Sequence, residues 1–241
     1  MLKLSIVTTI FNAPKEEFLD TVNSVLSQKN VTFEYIIQDG QSSNVELVEC
    51  ANNLSIEFDN VSFYSERDTG IYSGMNNALK HCTGDYVMFI NSGDCFINDH
   101  ALSEFVKSAT DESDIVVGLG IYYGASVTKS KFLIQKKLSK LIMRNLCHQS
   151  YMVRLNDEVR FDESYKLASD FDLLSRIYNA SGCSTSYNPN SFVFYKAGGV
   201  SDLDPSRVYG EIIHSIAKNN NINFFVKIVN MVLFKFRQVL R

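Results

Sequence analysis

Short apolar runs alternate with stretches of helical periodicity through the first hundred residues, the pattern of a largely parallel sheet covered by helices. Leu4–Phe11 reads as a buried strand, and Pro14 opens a helix that runs to about Ser27. Phe33–Gln38 is a second strand ended by Asp39-Gly40, and Val45–Leu54 has the apolar spacing of the next helix. Val61–Tyr64 is a short strand, Ile71–His81 is helical until Gly84 stops it, and Tyr86–Ile90 is a strand too apolar for a surface position. After Asp94 the pattern loosens. It gives a helix near Ala101–Ala109, a strand at Ile115–Tyr123 and a basic amphipathic stretch from Lys129 to Arg144. A short strand at Tyr151–Val153, a helix at Ser169–Asn179, a strand at Ser191–Lys196 and a helix from Pro205 complete the globular part. The expected class is α/β, with a Rossmann-like, mostly parallel central sheet.

The tail from Phe224 to Arg241 is apolar but carries Lys227, Lys235, Arg237 and Arg241. On a helical wheel these cations, with Asn230 and Gln238, lie opposite Phe225, Val229, Val232 and Phe236. Its interior charges rule against a spanning segment and suit a helix lying on an anionic membrane surface. Docking on its own domain or on a partner in a homodimer is the competing reading. The stretch from Lys129 to Arg144 has the same character and offers a second such contact.

At 241 residues the chain suits one larger α/β domain with an appended tail. A hydrophobic content of 45% with 21% charged residues is that of a folded globular protein. The net charge of −4 lacks the overall basic footprint of a nucleic-acid binder. The apolar N-terminus runs straight into the first strand without a cleavage site, so it reads as structure and not as a signal peptide. Five scattered cysteines, without paired spacing, favour reduced thiols in a cytosol.

Candidate chemistry gathers where strands end. Tyr86–Ile90 stops abruptly in Asn91-Ser-Gly-Asp94, and Asp68 precedes a glycine and the N-terminus of the Ile71 helix, where backbone N–H groups favour anions. With Asp39-Gly40 after the second strand, these residues suggest a site for a nucleoside diphosphate and a hard divalent cation, Mn2+ or Mg2+, with Asp94 as the ligand. Each segment also has a plainer reading, as an Asp-Gly turn, a helix cap or a turn after a strand. Asp170 and Asp172 fall in the first turn of a helix, where a carboxylate serves as a general base or as a partner of the helix dipole. His148-Gln149 lies on a loop between the basic stretch and a strand, facing a ligand or packed in the interior.

The order strand-Asn12, strand-Asp39-Gly40, Asp68-x-Gly70-Ile-Tyr-x-x-Met-Asn76, Gly84-Asp85 and strand-Asn91-Ser-Gly-Asp94 resembles the family 2 glycosyltransferases of GT-A fold, particularly bacterial enzymes of O-antigen, capsule or colanic-acid assembly. Cys147-His-Gln-Ser150 and Ala168-Ser-Asp-Phe-Asp172 extend the likeness to about residue 200. The resemblance implies a donor-binding half at 1–98, an acceptor-binding half at 99–220 and the helical tail at 221–241. It puts Thr9, Phe11, Asn12, Asp39, Arg67, Asp68, Asn76, Asn91, Ser92 and Gly93 against a nucleotide sugar, UDP-linked by preference, with Asp39 on the base. It puts His148 and Gln149 toward the acceptor, Asp94 on the metal, and Asp170 in the role of general base for an inverting transfer. The implied acceptor is a saccharide on polyprenyl diphosphate at the inner face of the cytoplasmic membrane. Asn91 and Gly93 stand where family members often have carboxylates, which implies a weaker hold on the metal. A nucleotidyltransferase that makes sugar nucleotides is an alternative, although no glycine-rich, lysine-containing phosphate loop lies near the N-terminus; a non-catalytic sugar-nucleotide-binding module is another.

Overall fold

A computed structural model describes residues 2–123 and 146–239. The segment Lys129–Arg144 and the final Arg241 lie outside the described residues. Among the described residues eight strands form one sheet: β1 (Lys3–Ile10), β2 (Thr32–Asp39), β3 (Val61–Ser65), β4 (Tyr86–Phe89), β5 (Cys95–Phe96), β6 (Ile115–Tyr123), β7 (Tyr151–Arg154) and β8 (Thr185–Lys196). The spatial order is β3-β2-β1-β4-β7-β6-β8-β5. β3, β2, β1 and β4 are parallel, so all four end on one rim. β7 is antiparallel to both β4 and β6, whereas β8 runs parallel to β6. The result is an α/β fold whose first half is the expected parallel sheet and whose second half is mixed.

The connections are helical: α1 (Lys15–Leu26), α2 (Val45–Glu57), α3 (Ile71–Leu79), α4 (Ala101–Val106), α5 (Ser169–Asn179), α6 (Val200–Leu203), α7 (Pro205–Lys218) and α8 (Phe224–Val239). Alternate side chains of β1 serve opposite faces of the sheet, as a pleated strand requires. Leu4 and Ile6 join Phe18 and Val22 of α1 and Leu47 of α2, while Val7 joins Met75 of α3 and Leu173 of α5. Each fully buried aliphatic or aromatic side chain contributes roughly 1.5–3 kcal/mol of transfer free energy. This two-sided burial makes the central strands rich in apolar residues, with Ser5 and Thr8 of β1 as buried polar exceptions.

Three local differences from the pattern have physical causes. Pro14 caps α1 instead of entering it, its carbonyl accepting the Phe18 N–H at 3.0 Å. β8 begins at Thr185, six residues before the apolar stretch, because its first half is polar and contains Pro189. The register against β6 jumps there, from Val117 opposite Tyr187 to Leu119 opposite Ser191, a bulge that accommodates the missing proline N–H. The third difference is in the tail. Asn230, grouped by the wheel with the cations, is fully buried, and Phe234 is buried in a cluster with residues of α7. Lys227 donates to the Ala217 carbonyl and Gln238 to that of Ser206, so α8 docks antiparallel on α7 by its polar side. Its apolar side faces outward. Among the described residues no helix is long and apolar enough to cross a membrane.

Candidate active site

The parallel strands deliver their last residues to one rim, and the loops beyond them are bound to one another. Ile10 is in register with Asp39, and the Gly40 N–H donates to the Ile10 carbonyl at 2.9 Å. Asp39 is fully buried; its carboxylate accepts from the Ser42 N–H at 3.1 Å and the Ser65 hydroxyl at 2.7 Å. Asn12, in the left-handed region at φ 50°, binds the Ser43 and Asn44 N–H groups through Oδ1 at 2.8 and 3.2 Å. It shapes the 41–44 loop that closes over Asp39. Phe11, beside it, leaves its ring 65% exposed.

Asp68 reaches across the same rim. Its Oδ1 accepts the Gly70 N–H at 3.1 Å, at the entrance to α3. Its other oxygen lies over Gly40 and Gly74, where a Cβ on either glycine would collide with it. Burial pushes the Asp68 carboxyl above its ordinary range, and the neighbouring Asp39 charge adds to that shift. Two carboxyl groups so close, one of them capping a helix N-terminus, form a hydrogen-bonding edge suited to a polar ring and its ribose. Thr9 lies beneath α3, and Arg67 is exposed beside Asp68.

At the other end of the rim, Asn91-Ser-Gly-Asp94 forms a tight turn, closed by the Asp94 N–H on the Asn91 carbonyl at 3.0 Å. Gly93 takes φ 93°, which a side chain would strain. Its N–H donates to the Thr21 hydroxyl at 2.9 Å and to the Glu17 carbonyl, so α1 pins the turn. The Ser92 hydroxyl is buried without a hydrogen-bond partner among the described residues. Asp94 is 3% exposed and accepts from the Gln149 amide at 2.6 Å and the Lys196 N–H at 2.8 Å. Burial pushes its carboxyl above the ordinary carboxylate range in spite of these bonds.

His148 ties this turn to α5. It lies on a 3-10 turn, His148–Ser150, directly before β7. Its Nε2 is 3.2 Å from Asn91 Oδ1 and its Nδ1 3.4 Å from Asp170 Oδ2. Asp170, in the first turn of α5, also accepts from the Tyr72 hydroxyl at 3.3 Å, and its carbonyl accepts from the Tyr151 hydroxyl at 3.3 Å. Burial, and then the Asp170 charge, push the Tyr72 phenol well above its ordinary value, so it remains a donor. Asn91, Asp94, His148, Gln149 and Asp170 thus make one connected group. α3 links it to Asp39 and Asp68, since Gly70 meets Asp68 at its start and Tyr72 meets Asp170 two residues on.

Two expected contributors are placed elsewhere. Asn76 is buried, with its amide donating to the Phe161 carbonyl and Glu163 and accepting the Phe161 N–H at 2.9 Å, so it clamps the 161–163 segment to α3. Asp172 is buried between the Ser215 hydroxyl at 2.7 Å and Arg176 at 2.8 Å, a structural pairing that leaves Asp170 as the accessible carboxylate of the two. Tyr72, Tyr151 and Lys196 enter the site without having been singled out in the sequence. Tyr72 sits inside the Gly70-Ile-Tyr run, but an aromatic residue on the inner face of a helix is ordinarily core. A cavity of about 370 Å3 opens beside the α3 N-terminus, with Tyr72, Lys166, Leu203 and Arg207 among its walls.

Residues 5–175, well over half of the chain, match the family described as Glycosyl transferase family 2. A poly(ribitol-phosphate) beta-glucosyltransferase of Bacillus spizizenii is 25% identical over 97% of this chain, and a PGL/p-HBAD biosynthesis glycosyltransferase of Mycobacterium bovis is 23% identical over 69%. The chain spans 39% of the first relative's length and 66% of the second's. Among solved structures, S. aureus TarS in complex with UDP superimposes with a TM-score of 0.73 at 19% identity, covering all of this chain and 72% of that one. The mannosyltransferase PcManGT from Pyrobaculum calidifontis, in complex with GDP-Man and Mn2+, superimposes with a TM-score of 0.71 at 11% identity, covering 98% and 70%. These likenesses give the fold as GT-A. The matched span contains the strand ends, the His148 turn and Asp170 together, and on that match the chain belongs to glycosyl transferase family 2.

Proposed function

We propose that the chain is an inverting glycosyltransferase that moves a sugar from a nucleotide diphosphate donor, UDP-linked by preference, onto a lipid-linked oligosaccharide in bacterial surface polysaccharide assembly, O-antigen or capsule. It works at the inner face of the cytoplasmic membrane. The observation that carries this reading is the reach of Asp170 from α5 to the His148–Asn91 pair beside Asp94. A carboxylate there stands next to the strand end at which a donor's diphosphate is expected in an open α/β sheet. A relative named as a poly(ribitol-phosphate) beta-glucosyltransferase supports a polymeric acceptor, and a structural neighbour in complex with UDP supports the choice of donor.

In this reading Asp39 accepts the imide N–H of the base and the exposed Phe11 ring covers it, while Asp68 holds the ribose at the entrance to α3. Arg67, Asn91, Ser92 and Gly93 serve the sugar diphosphate, Thr9 and Asn12 act behind them by shaping the rim, and Asn76 acts only through the 161–163 segment that it clamps to α3. Asp170 takes the proton from the attacking acceptor hydroxyl, because an alcohol becomes a competent nucleophile as its proton leaves. His148 and Tyr72 hold that carboxylate on its two oxygens. Gln149 orients Asp94, and the neighbouring cavity has room for the acceptor saccharide. A single displacement follows, with inversion at the anomeric carbon and no covalent sugar on the protein.

The residues fit a divalent cation that arrives with the donor. Among the described residues no group of three His, Cys, Asp or Glu side chains forms a cage for a resident ion. Asp94, however, is a buried carboxyl whose charge is disfavoured by burial, and each of its oxygens, bonded once, keeps a lone pair. Asp94 would hold Mn2+ or Mg2+, with Asn91 beside it, and the ion supplies charge neutralisation for the departing diphosphate.

The test is a thermal-shift screen with UDP, GDP and dTDP, with and without Mn2+, followed by donor turnover in Asp170→Asn. The reading requires a metal-assisted shift with one nucleotide, retained in Asp170→Asn while turnover falls by a factor of a hundred or more. Turnover equal to wild type in that variant removes Asp170 as the base. Absence of any nucleotide shift removes the donor site.

A further inference from the structure

The tail helix presents the wrong side to its own protein for a simple amphipathic packing unit. Asn230 and Phe234 of α8 are buried on α7. Phe225, Ile228, Val232, Phe236 and Val239, spaced at three and four residues, make a continuous stripe along the outward side. Phe225, Val232 and Phe236 are 65%, 63% and 62% exposed. An uncovered stripe of this length on a folded surface marks an interaction site.

The charges around it say what covers it. α8 carries Lys227, Lys235 and Arg237 and no carboxylate, in a chain whose net charge is −4. Among the described residues none of the three is ion-paired: Lys227 donates to a backbone carbonyl, Lys235 to Gln238, and Arg237 lies over the Phe234 ring. Self-association of two such helices about a two-fold axis would set cation against cation. Apolar side chains flanked by cations without counter-charges complement a bilayer surface with anionic headgroups.

We infer that α8 is an interfacial anchor that lays the Phe225–Val239 stripe into an anionic lipid surface while its polar side stays fastened to α7. The helix is about 24 Å long at 1.5 Å per residue, so it lies along the surface and does not cross it. Because Gln238 is bonded to the start of α7 and Arg207 of α7 lines the cavity next to Tyr72, the anchored face adjoins the route by which a lipid-borne acceptor would come. The inference deepens the lipid-linked reading given above and rests on it only for its purpose.

Co-sedimentation of the full chain with phosphatidylcholine vesicles, with and without phosphatidylglycerol, tests it. The chain binds the anionic vesicles, and added salt weakens that binding. Phe225→Ser with Phe236→Ser lowers the partition constant at least about tenfold, and Lys235→Gln and Arg237→Gln lower it roughly fivefold each. Both sets of residues are exposed, so the melting temperature and the UDP-induced shift stay at wild-type values and report an intact fold. Equal binding by the phenylalanine variant, or no vesicle binding by the wild type, overturns the anchor. So does a dimer in light scattering that the phenylalanine variant dissolves, since a second copy would then be the occupant. Loss of the UDP shift in the wild type would instead remove the donor reading and leave the anchor standing.

Discussion

Glu211 accepts the backbone N–H of Ala168 at 3.0 Å, and the same carboxylate takes the N–H groups of Lys166 and Leu167 at 3.0 and 2.8 Å. These three donors lead directly into α5, whose cap residue, Ala168, has no side chain to accept them. A carboxylate from α7 therefore holds the segment that leads into the helix, and it fixes the backbone two residues before Asp170. Glu211→Ala leaves the part-buried N–H groups of Leu167 and Ala168 without this partner and costs about 1 kcal/mol of stability. Glu211→Gln keeps one acceptor oxygen and the same volume. The expected result for Glu211→Gln is donor turnover about tenfold slower, with the KM for the donor within about twofold of wild type, because positioning errors act on the transition state. Asp162→Asn cuts the ion pair to Lys218 of the same helix without touching these N–H groups, and its turnover should stay at wild type.

Gly40 has room for Asp68 only because it has no Cβ. A methyl group there meets the Asp68 carboxylate and drives it away from Asp39, so Gly40→Ala should fold but lose the nucleotide edge. The expected outcome is a small drop in melting temperature, from an overpacking cost of about 1–3 kcal/mol, together with loss of most of the UDP-induced shift. A full UDP shift in Gly40→Ala would show that Asp68 does not contribute to binding.

His148 is the side chain that joins the Asn91–Asp94 turn to Asp170 of α5, and its removal separates them. In His148→Ala the Asp170 carboxylate keeps the Tyr72 hydroxyl but loses the contact that orients it toward Asn91. Steady-state turnover should fall about ten- to a hundredfold, while the nucleotide-induced shift, set at the Asp39 end, should change little. A parallel loss of UDP binding would place His148 in the donor site instead.

The first half of the fold was legible because its strands are buried on both faces and its breaks fall at Gly, Pro and Asp. Residues 4–90 read almost element for element, and Asp39, Asp68, Asp94 and Asp170 stand out because a carboxylate after an apolar run or at a helix start is conspicuous. The second half was less legible for definite reasons. β8 hides behind six polar residues, β5 is only two residues long, and α6 follows two glycines that read as loop. Asn76 and Asp172 look like site residues in sequence, yet each is consumed by a buried contact tens of residues away. Glu211 could not be found at all, since its partners are backbone groups without a side-chain signature. The wheel of α8 grouped Lys227, Asn230 and Gln238 on one side, but it missed that Phe234 and Met231 share that side and that this is the side that docks.

Glu34 offers a stability test far from the site. It lies on β2 and accepts from the Ser5 hydroxyl at 2.7 Å, from both the N–H and the hydroxyl of Thr83, and from the Lys3 ammonium, which stitches β1, β2 and the approach to β4. Burial opposes its charge, but the bonds from Lys3, Thr83 and Ser5 prevail and hold the carboxyl down at about 2, against an ordinary 4.5. A carboxyl depressed in the folded state stabilises it fully above the unfolded value, and that stabilisation disappears as pH falls through the folded value. Glu34→Gln should therefore be about 1–2 kcal/mol less stable than wild type at pH 7, as expected for losing charge-assisted hydrogen bonds. The gap between the two proteins should narrow as pH drops below about 4.5 and close near pH 2. Urea denaturation of both proteins at pH 7, 5 and 3 measures it, and a gap that stays constant across that range would mean that the carboxylate charge contributes nothing.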